Sequence, residues 1–449
     1  MIANFLQNSL RRNLILSHPI IDAIAPLTLV GLLAKSLLPK YQQTILASII
    51  QWQSPDVKTR LNFTSTDHSS IASANHPKLG FTDNEQAVRV AGLLRNIGLT
   101  YGFSELIILM GHGSISENNP HLAAYDCGAC SGRHGGPNAR VFAAMANRPA
   151  IRKQLADWGI NIPTDTWFIG AEHNTCSEAI SWFDLTDIPK DRLASFKKLQ
   201  LELKHAQLMS AHERCRRLAS APRKPTPKEA LAHVEERASD FSQARPELGH
   251  ATNASAIVGR RSLTQGAFFD RRVFLISYDP TQDTDGKILE GILLAVGPVG
   301  AGINLEYYFS TINNDRLGCG SKVPHNITGL FGVMEGGSSD LRTGLPQQMV
   351  EIHEAMRLQL LVEAKTSVLE RIYSEQESLR ELIAGGWIHL STKDPETGEI
   401  FIFERGTGFI LWQTNKETPP LYNNSTDCYR DKTLPVPPML IKQPTLLET

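Results

Sequence analysis

The densest run of chemistry-bearing side chains lies between Met110 and Arg140, MGHGSISENNPHLAAYDCGACSGRHGGPNAR. It holds His112, His121 and His134, the carboxylate of Asp126, and a Cys-x-x-Cys made by Cys127 and Cys130. Imidazole and thiolate together suit zinc. A catalytic zinc site takes three protein ligands and keeps a fourth position for water, whose pKa it lowers to about 7. Spacing alone leaves a second possibility open. There is one Cys-x-x-Cys and no partner cluster at finger spacing, so a glycine-rich structural loop fits equally well. Seven glycines from Gly102 to Gly136 let the backbone turn sharply and approach a ligand closely.

The elements that must position these groups can be read on either side. Glu105 to Met110 is a short apolar run flanked by glycine, the pattern of a buried strand. It places His112 two residues past the strand end. Thr166 to Ala171 is a second such run, followed by His173-Asn174-Thr175. Before the first strand, Asp83 stands three residues from Gln86, a capping-box signature. Val90, Leu93, Leu94 and Ile97 follow at helical spacing, and Gly98 can close the helix. Asn138 to Ala146 reads as one helix, and a second runs from Pro149 to near Gly159. Helix, strand, loop, helix and strand in this order suggest a parallel α/β sheet, whose ligands gather at the carboxyl ends of the strands.

Further along, Pro189 opens a polar amphipathic helix reaching about Leu218. Arg214, Arg216 and Arg217 on it read as a solvated basic face, and Cys176, Cys215 and Cys428 as inert thiols. Val273 to Tyr278 is a strand. A charged helix near Leu369 to Ala384 precedes a hairpin, Trp387–Leu390 with Ile400–Phe403, joined by DPETG. The organisation expected is a helical segment 1–80, an α/β half-domain 81–220, a proline-rich linker 221–228, an α+β region 229–365 and a helix-and-hairpin region 366–449.

With 449 residues, 41% hydrophobic and 20% charged, the chain has ordinary globular composition and room for two or three domains. A net charge of −1 gives no basic footprint for nucleic acid. Six cysteines in this length are no disulfide scaffold. The apolar stretch Ile20–Pro39 is interrupted by Asp22, Pro26 and Lys35, and Ile288–Ile303 carries Glu290 and four glycines and is too short. The expectation is a soluble or peripheral protein. Gly300-Ala301-Gly302 lacks the third glycine of a dinucleotide fingerprint, and Asp283-Thr284-Asp285-Gly286 lacks the outer ligands of a calcium loop.

Longer motifs narrow the choice. Gly111-His112-Gly113-Ser114, Asn118-Asn119-Pro120, Ala124-Tyr125-Asp126-Cys127-Gly128-Ala129-Cys130 and Gly136-Pro137-Asn138-Ala139-Arg140 resemble the DabA family of inorganic carbon transporter subunits. The likeness continues through His173-Asn174-Thr175, Arg245-Pro246-Glu247, Ile303-Asn304-Leu305, Tyr307-Tyr308-Phe309-Ser310, Gly320-Ser321-Lys322, His325-Asn326 and Asp340-Leu341-Arg342. It covers the chain from about Phe81 onward. The resemblance implies a parallel-sheet core like that of β-type carbonic anhydrase, with additional α+β regions. It also implies a Zn2+ centre that serves conversion of CO2 to bicarbonate at the cytoplasmic face of the bacterial inner membrane. The implied partner is an integral membrane, proton-translocating subunit of the DabB type.

By the same resemblance His112 and Cys127 are zinc ligands. From their positions, Asp126 in the same loop and His173 and Asn174 after the second buried strand are candidates to orient them, with a loop-capping Asp and a structural polar turn as the equal alternatives. The family's other two ligands come from a Cys-x-Asp-x-Arg motif. None of Cys127, Cys130, Cys176, Cys215, Cys319 and Cys428 is followed two residues later by Asp. The missing Cys/Asp pair is therefore expected from a separate polypeptide. Leu248, Glu306 and Gln347 also depart from the family pattern. Two alternatives stay open here: a metal-free remnant or scaffold binding the membrane subunit, and an independent zinc hydrolase using His112, Cys127, Cys130 and His134.

Overall fold

The structure is a computed structural model. It describes residues 14–53, 59–66, 78–116, 133–240, 243, 247, 250–320, 344–413 and 417–442. The fold is mixed α/β, with three sheets and helices packed on them.

Two apolar helices come first, α1 (Leu14–Leu37) and α2 (Pro39–Gln53). Leu29, Val30, Leu33, Leu37, Tyr41, Ile45 and Trp52 on them are exposed. The first α/β unit follows, as α3 (Asp83–Asn96), β1 (Leu106–Gly113), α4 (Gly136–Ala146), α5 (Pro149–Asp157), β2 (Trp167–Asn174), β3 (Ile180–Trp182) and α6 (Leu193–Cys215). The capping box of α3 sits one residue earlier than the sequence suggested. Thr82 is the N-cap, and it exchanges hydrogen bonds with Glu85 rather than Asp83 with Gln86. Gln86 is buried and donates to the Phe81 carbonyl, so it has no capping role.

β1 and β2 pair in parallel, and β3 adds antiparallel to β2. One face of this sheet packs on α3, α4 and α5 through Ile107, Leu109 and Phe168. The other packs toward α6 through Leu106, Ile108, Trp167 and Ile169, against Ile188 and Phe196. Both strands run longer than their apolar runs. Glycine and short polar residues at their ends still satisfy the ladder, so His112 lies inside β1 and not two residues beyond it.

The stretch expected as a linker is largely exposed and joins two helices that pack on each other. The helix α7 (Pro227–Ser239) starts inside it, and Cys215 and Ala211 of α6 bury against Ala230 and Val234. The run Arg214-Cys215-Arg216-Arg217 is not a solvated basic face. Arg214 is 1% exposed, and the side chains of Arg216 and Arg217 are nearly as buried. Carboxylates draw them inward: Glu178 takes Arg214, and Asp270 takes Arg216 and Arg217.

The second unit contains β4 (Ser255–Gly259), β5 (Ala267–Phe268), β6 (Val273–Ser277), α8 (Lys287–Ile312), β7 (Leu358–Glu363), α9 (Thr366–Glu375), α10 (Glu377–Ala384), β8 (Ile388–Lys393), β9 (Ile400–Glu404) and β10 (Gly408–Leu411). Six strands form one sheet in the order β10-β9-β8-β7-β4-β6. β6, β4, β7 and β8 are parallel, and the β8–β9–β10 meander is antiparallel. This sheet runs across the expected boundary at 365/366, because β7 and β8 pair from either side of it. Its core is closed by α8, α9 and α10.

α8 corrects the expectation of a short apolar run. It has 26 residues, with Pro298 inside it and Glu290 tied to Arg371, and is long and apolar enough to cross a membrane by length and composition. Asp283 holds its start by accepting from Ile288 N and Leu289 N, and also takes the Tyr278 hydroxyl. That use explains the acidic cluster that superficially looks like a calcium loop. A small sheet of β11 (Leu421–Tyr422), β12 (Met439–Ile441) and β5 ends the described chain, with α11 (Ser425–Tyr429) packed on it.

Candidate functional site

His112 is flanked by two glycines because the start of α4 lies on the β1 backbone. A Cβ at Gly111 would stand 2.4 Å from the carbonyl carbon of Gly135. Gly135 N donates to His112 O at 2.7 Å, which fastens the two segments. The strand register then sets the side chains. His112 is directly paired with His173 on β2. In-register residues on parallel neighbours project to the same face of the sheet, with strands about 4.8 Å apart. Both imidazoles therefore lie on the α6 side, in line with Leu106, Ile108, Trp167 and Ile169. On the opposite face, Glu172 accepts from Gly136 N at the start of α4 (3.0 Å), and its other oxygen stands 3.4 Å from His134 Nδ1.

Behind His173 is a buried ionic network that the sequence did not announce. His173 Nε2 donates to Glu178 Oε2 at 2.6 Å. The other oxygen, Glu178 Oε1, accepts from Ser210 Oγ (2.5 Å) and from Arg214 Nη2 (2.8 Å). Arg214 also donates to the Thr175 and Cys176 carbonyls, and Arg271 reaches Ser210. Glu178 is 4% exposed and sits at φ 65°, a left-handed conformation that a non-glycine residue holds only when its surroundings fix it. Burial alone would raise its pKa. The His173 hydrogen bond, the Arg214 charge and the Ser210 hydroxyl outweigh burial and hold it at about 2. Glu178 is thus a carboxylate that accepts only, so His173 carries its proton on Nε2 and turns Nδ1 away from that partner.

Asn174 does a different job. Its Oδ1 accepts from Cys176 N at 3.1 Å and from Ile115 N at 3.3 Å, pinning the two segments that leave β1 and β2. Cys176 is fully buried with Ser114 Oγ 3.3 Å from its sulfur, and Ser114 donates to Glu247 at 2.8 Å. Burial pushes the Cys215 thiol up to about 11 and that of Cys428 upward as well, so both are poor nucleophiles at neutral pH.

Cys127 and Asp126 lie outside the described residues, as do His121, Cys130, Lys322 and His325. Of the sequence-derived candidates, the structure brings together His112, His173 and Asn174. No group of three metal-binding side chains occurs among the described residues. A cleft of about 1080 Å³ lies elsewhere, lined by Arg60, Phe63, Arg140, Trp182 and Asp184, and neither histidine contributes to it. Glu178, Ser210 and Arg214 were missed because they come from distant segments with no spacing in common.

A family description, "Probable inorganic carbon transporter subunit DabA", matches residues 3–388. The chain belongs to the DabA family. It is 58% identical over 441 residues to a probable inorganic carbon transporter subunit DabA of Methylococcus capsulatus, covering 98% of this chain and 41% of that protein. The Nitrosococcus oceani relative of the same description is 52% identical, over 99% of this chain and 41% of its own length. That of Dechloromonas aromatica is 53% identical, over 94% and 42%. The chain therefore spans about two fifths of the length of these DabA relatives. No solved structure matches it.

Proposed function

We propose that this chain carries half of a zinc centre in the carbonic-anhydrase-like subunit of an energy-coupled inorganic carbon transporter, peripheral on the cytoplasmic face of the inner membrane. His112 and Cys127 would hold the metal from this chain. A Cys and an Asp from a Cys-x-Asp-x-Arg segment, absent here, would complete it. An integral membrane, proton-translocating subunit of the DabB type would couple the conversion of CO2 to bicarbonate.

The observation that carries this proposal is His112 at the carboxyl end of β1, in register with His173. One imidazole there, with a thiolate in the following loop, suits zinc as half of a tetrahedral donor set. When bound, zinc supplies a polarised water at neutral pH. This chain's residues supply orientation. Glu178 and Arg214 fix the His173 ring beside His112, and Asn174 pins the loops around it. Glu178 thus holds in place the imidazole that neighbours the proposed ligand His112, not the ligand itself.

Tagged purification from native cells tests this, with zinc measured on the same eluate. A Cys-x-Asp-x-Arg segment in the eluate, with about one zinc per site, is the expected result. The isolated chain should hold little zinc and hydrate no CO2. Stoichiometric, tightly held zinc in residues 1–449 alone would overturn the shared-site proposal, and an eluate without zinc would reduce the protein to a scaffold.

A further inference from the structure

Between Asp22 and Asp56 the sequence has no carboxylate, and its only charges are Lys35 and Lys40. This stretch makes up most of α1 and all of α2. Its polarity is inverted for a helix pair facing water. α2 is held on α7 by its polar side: Lys40 Nζ meets Glu235 Oε2 at 3.3 Å, and Gln43 Oε1 stands 2.7 Å from Ser239 Oγ. Its apolar side points away from the protein. Tyr41, Ile45, Ile49 and Trp52 recur there at helical spacing, and Trp52 is 82% exposed.

α1 is apolar almost all round. Among its described side chains from Ala23 to Leu37, only Gly31, Ala34 and Lys35 are partly covered. The exposed remainder, Leu29, Val30, Leu32, Leu33 and Leu37 among them, spreads over more than half of the circumference at 3.6 residues per turn. A protein groove takes one face of a helix. A helix apolar over most of its girth suits hydrocarbon instead.

The hydroxyls carry the same message independently. Thr28 donates to Ala25 O, Ser36 to Leu32 O, Thr44 to Lys40 O and Ser48 to Thr44 O, all at 2.8–2.9 Å. Each turns back onto its own helix and is satisfied without water, which is what burial among lipid chains requires. The continuous apolar part of α1, Thr28–Leu37, is about 15 Å long, half of a bilayer's hydrocarbon core. It can enter one leaflet and cannot cross.

We propose that α1 and α2 are the surface by which this chain lies in a lipid bilayer, sunk into one leaflet. Tyr41 and Trp52 sit at headgroup level, and the two lysines, with no carboxylate beside them in the sequence, favour anionic headgroups. This rests on the proposal that the chain works peripherally at the inner membrane, and it names the surface that holds it there.

Flotation of the purified 449-residue chain tests it, with vesicles of phosphatidylethanolamine and phosphatidylglycerol and with vesicles of phosphatidylcholine alone. The chain should float with both, and Lys35→Gln should weaken binding about fivefold on the anionic vesicles only. Ile45→Asp and Ile49→Asp lie on the exposed side, so they should leave the unfolding midpoint unchanged and weaken flotation more than about tenfold. Lipids brominated on their acyl chains should quench tryptophan emission in the wild type and quench it less in Trp52→Phe. A chain that stays soluble beside both vesicles, or floats equally well with Asp at 45 and 49, overturns the proposal. So does a soluble oligomer that Ile49→Asp dissociates, which would make a second copy the occupant. A native chain that fractionates with the inner membrane yet does not float overturns the lipid contact and spares the location. Flotation of a chain that native fractionation finds soluble supports the contact and sinks the location.

Discussion

Glu178→Gln is the most informative single change in the first unit. The amide keeps the size of the carboxylate, removes its charge and turns one of its two accepting oxygens into a donor. Arg214, 1% exposed and 2.8 Å away, is then left as a buried cation without its counter-ion. Breaking a buried pair in this way costs about 3–5 kcal/mol. The pKa gives an independent figure. Glu178 is held at about 2 against an ordinary 4.5, which corresponds to about 3 kcal/mol in favour of the ionised form. Urea unfolding of wild type, Glu178→Gln, Arg214→Met and the double variant provides the assay. Each single variant should lose about 3 kcal/mol, and the double should lose clearly less than the two together, because it removes both charges. The sign with pH is also set. The folded pKa lies below the unfolded one, so the carboxylate's contribution is fully present above about pH 4.5 and is lost as pH falls toward 2. The stability gap between wild type and Glu178→Gln should close over that window. A loss below about 1 kcal/mol, or strict additivity in the double variant, would refute the picture of a desolvated ion pair behind His173.

Gly111→Ala should destabilise the first unit by about 1–3 kcal/mol in the same assay, because its Cβ would meet the Gly135–Gly136 backbone, which cannot swing away as a side chain can. In a zinc-loaded complex, His112→Ala and Cys127→Ala should each release the metal, read by chelator-competition titration. Cys130→Ala should not, and zinc loss in that variant would favour a hydrolase-like site built from this chain alone. Cys215 should resist iodoacetamide in the folded protein at pH 8, checked by mass spectrometry, since its thiol is buried and pushed up to about 11.

Local signals carried the strands and helices well. The apolar runs at Glu105 and Thr166, the α4 and α5 starts and the β8–β9 hairpin are where their residue patterns place them. The parallel pairing of β1 and β2 followed from a helix standing between two buried strands. What could not be read depends on long-range partners. Arg214, Arg216 and Arg217 look solvated until Glu178 and Asp270 are brought beneath them. The boundary at 365 looked plausible because a helix begins there, yet β7 and β8 pair across it. The alignment of His112 with His173 is a matter of register between strands separated by two helices, and no spacing within either strand encodes it.

The six-stranded sheet has a consequence for synthesis. Its inner strand β4 is laid down early, but its neighbour β7 emerges about a hundred residues later, and the β8–β10 meander later still. A nascent chain can thus finish the unit around β1 and β2 while β4 and β6 wait as a bare two-stranded ribbon, which is marginal in water. Until β7 emerges, that ribbon is the stretch most in need of a chaperone.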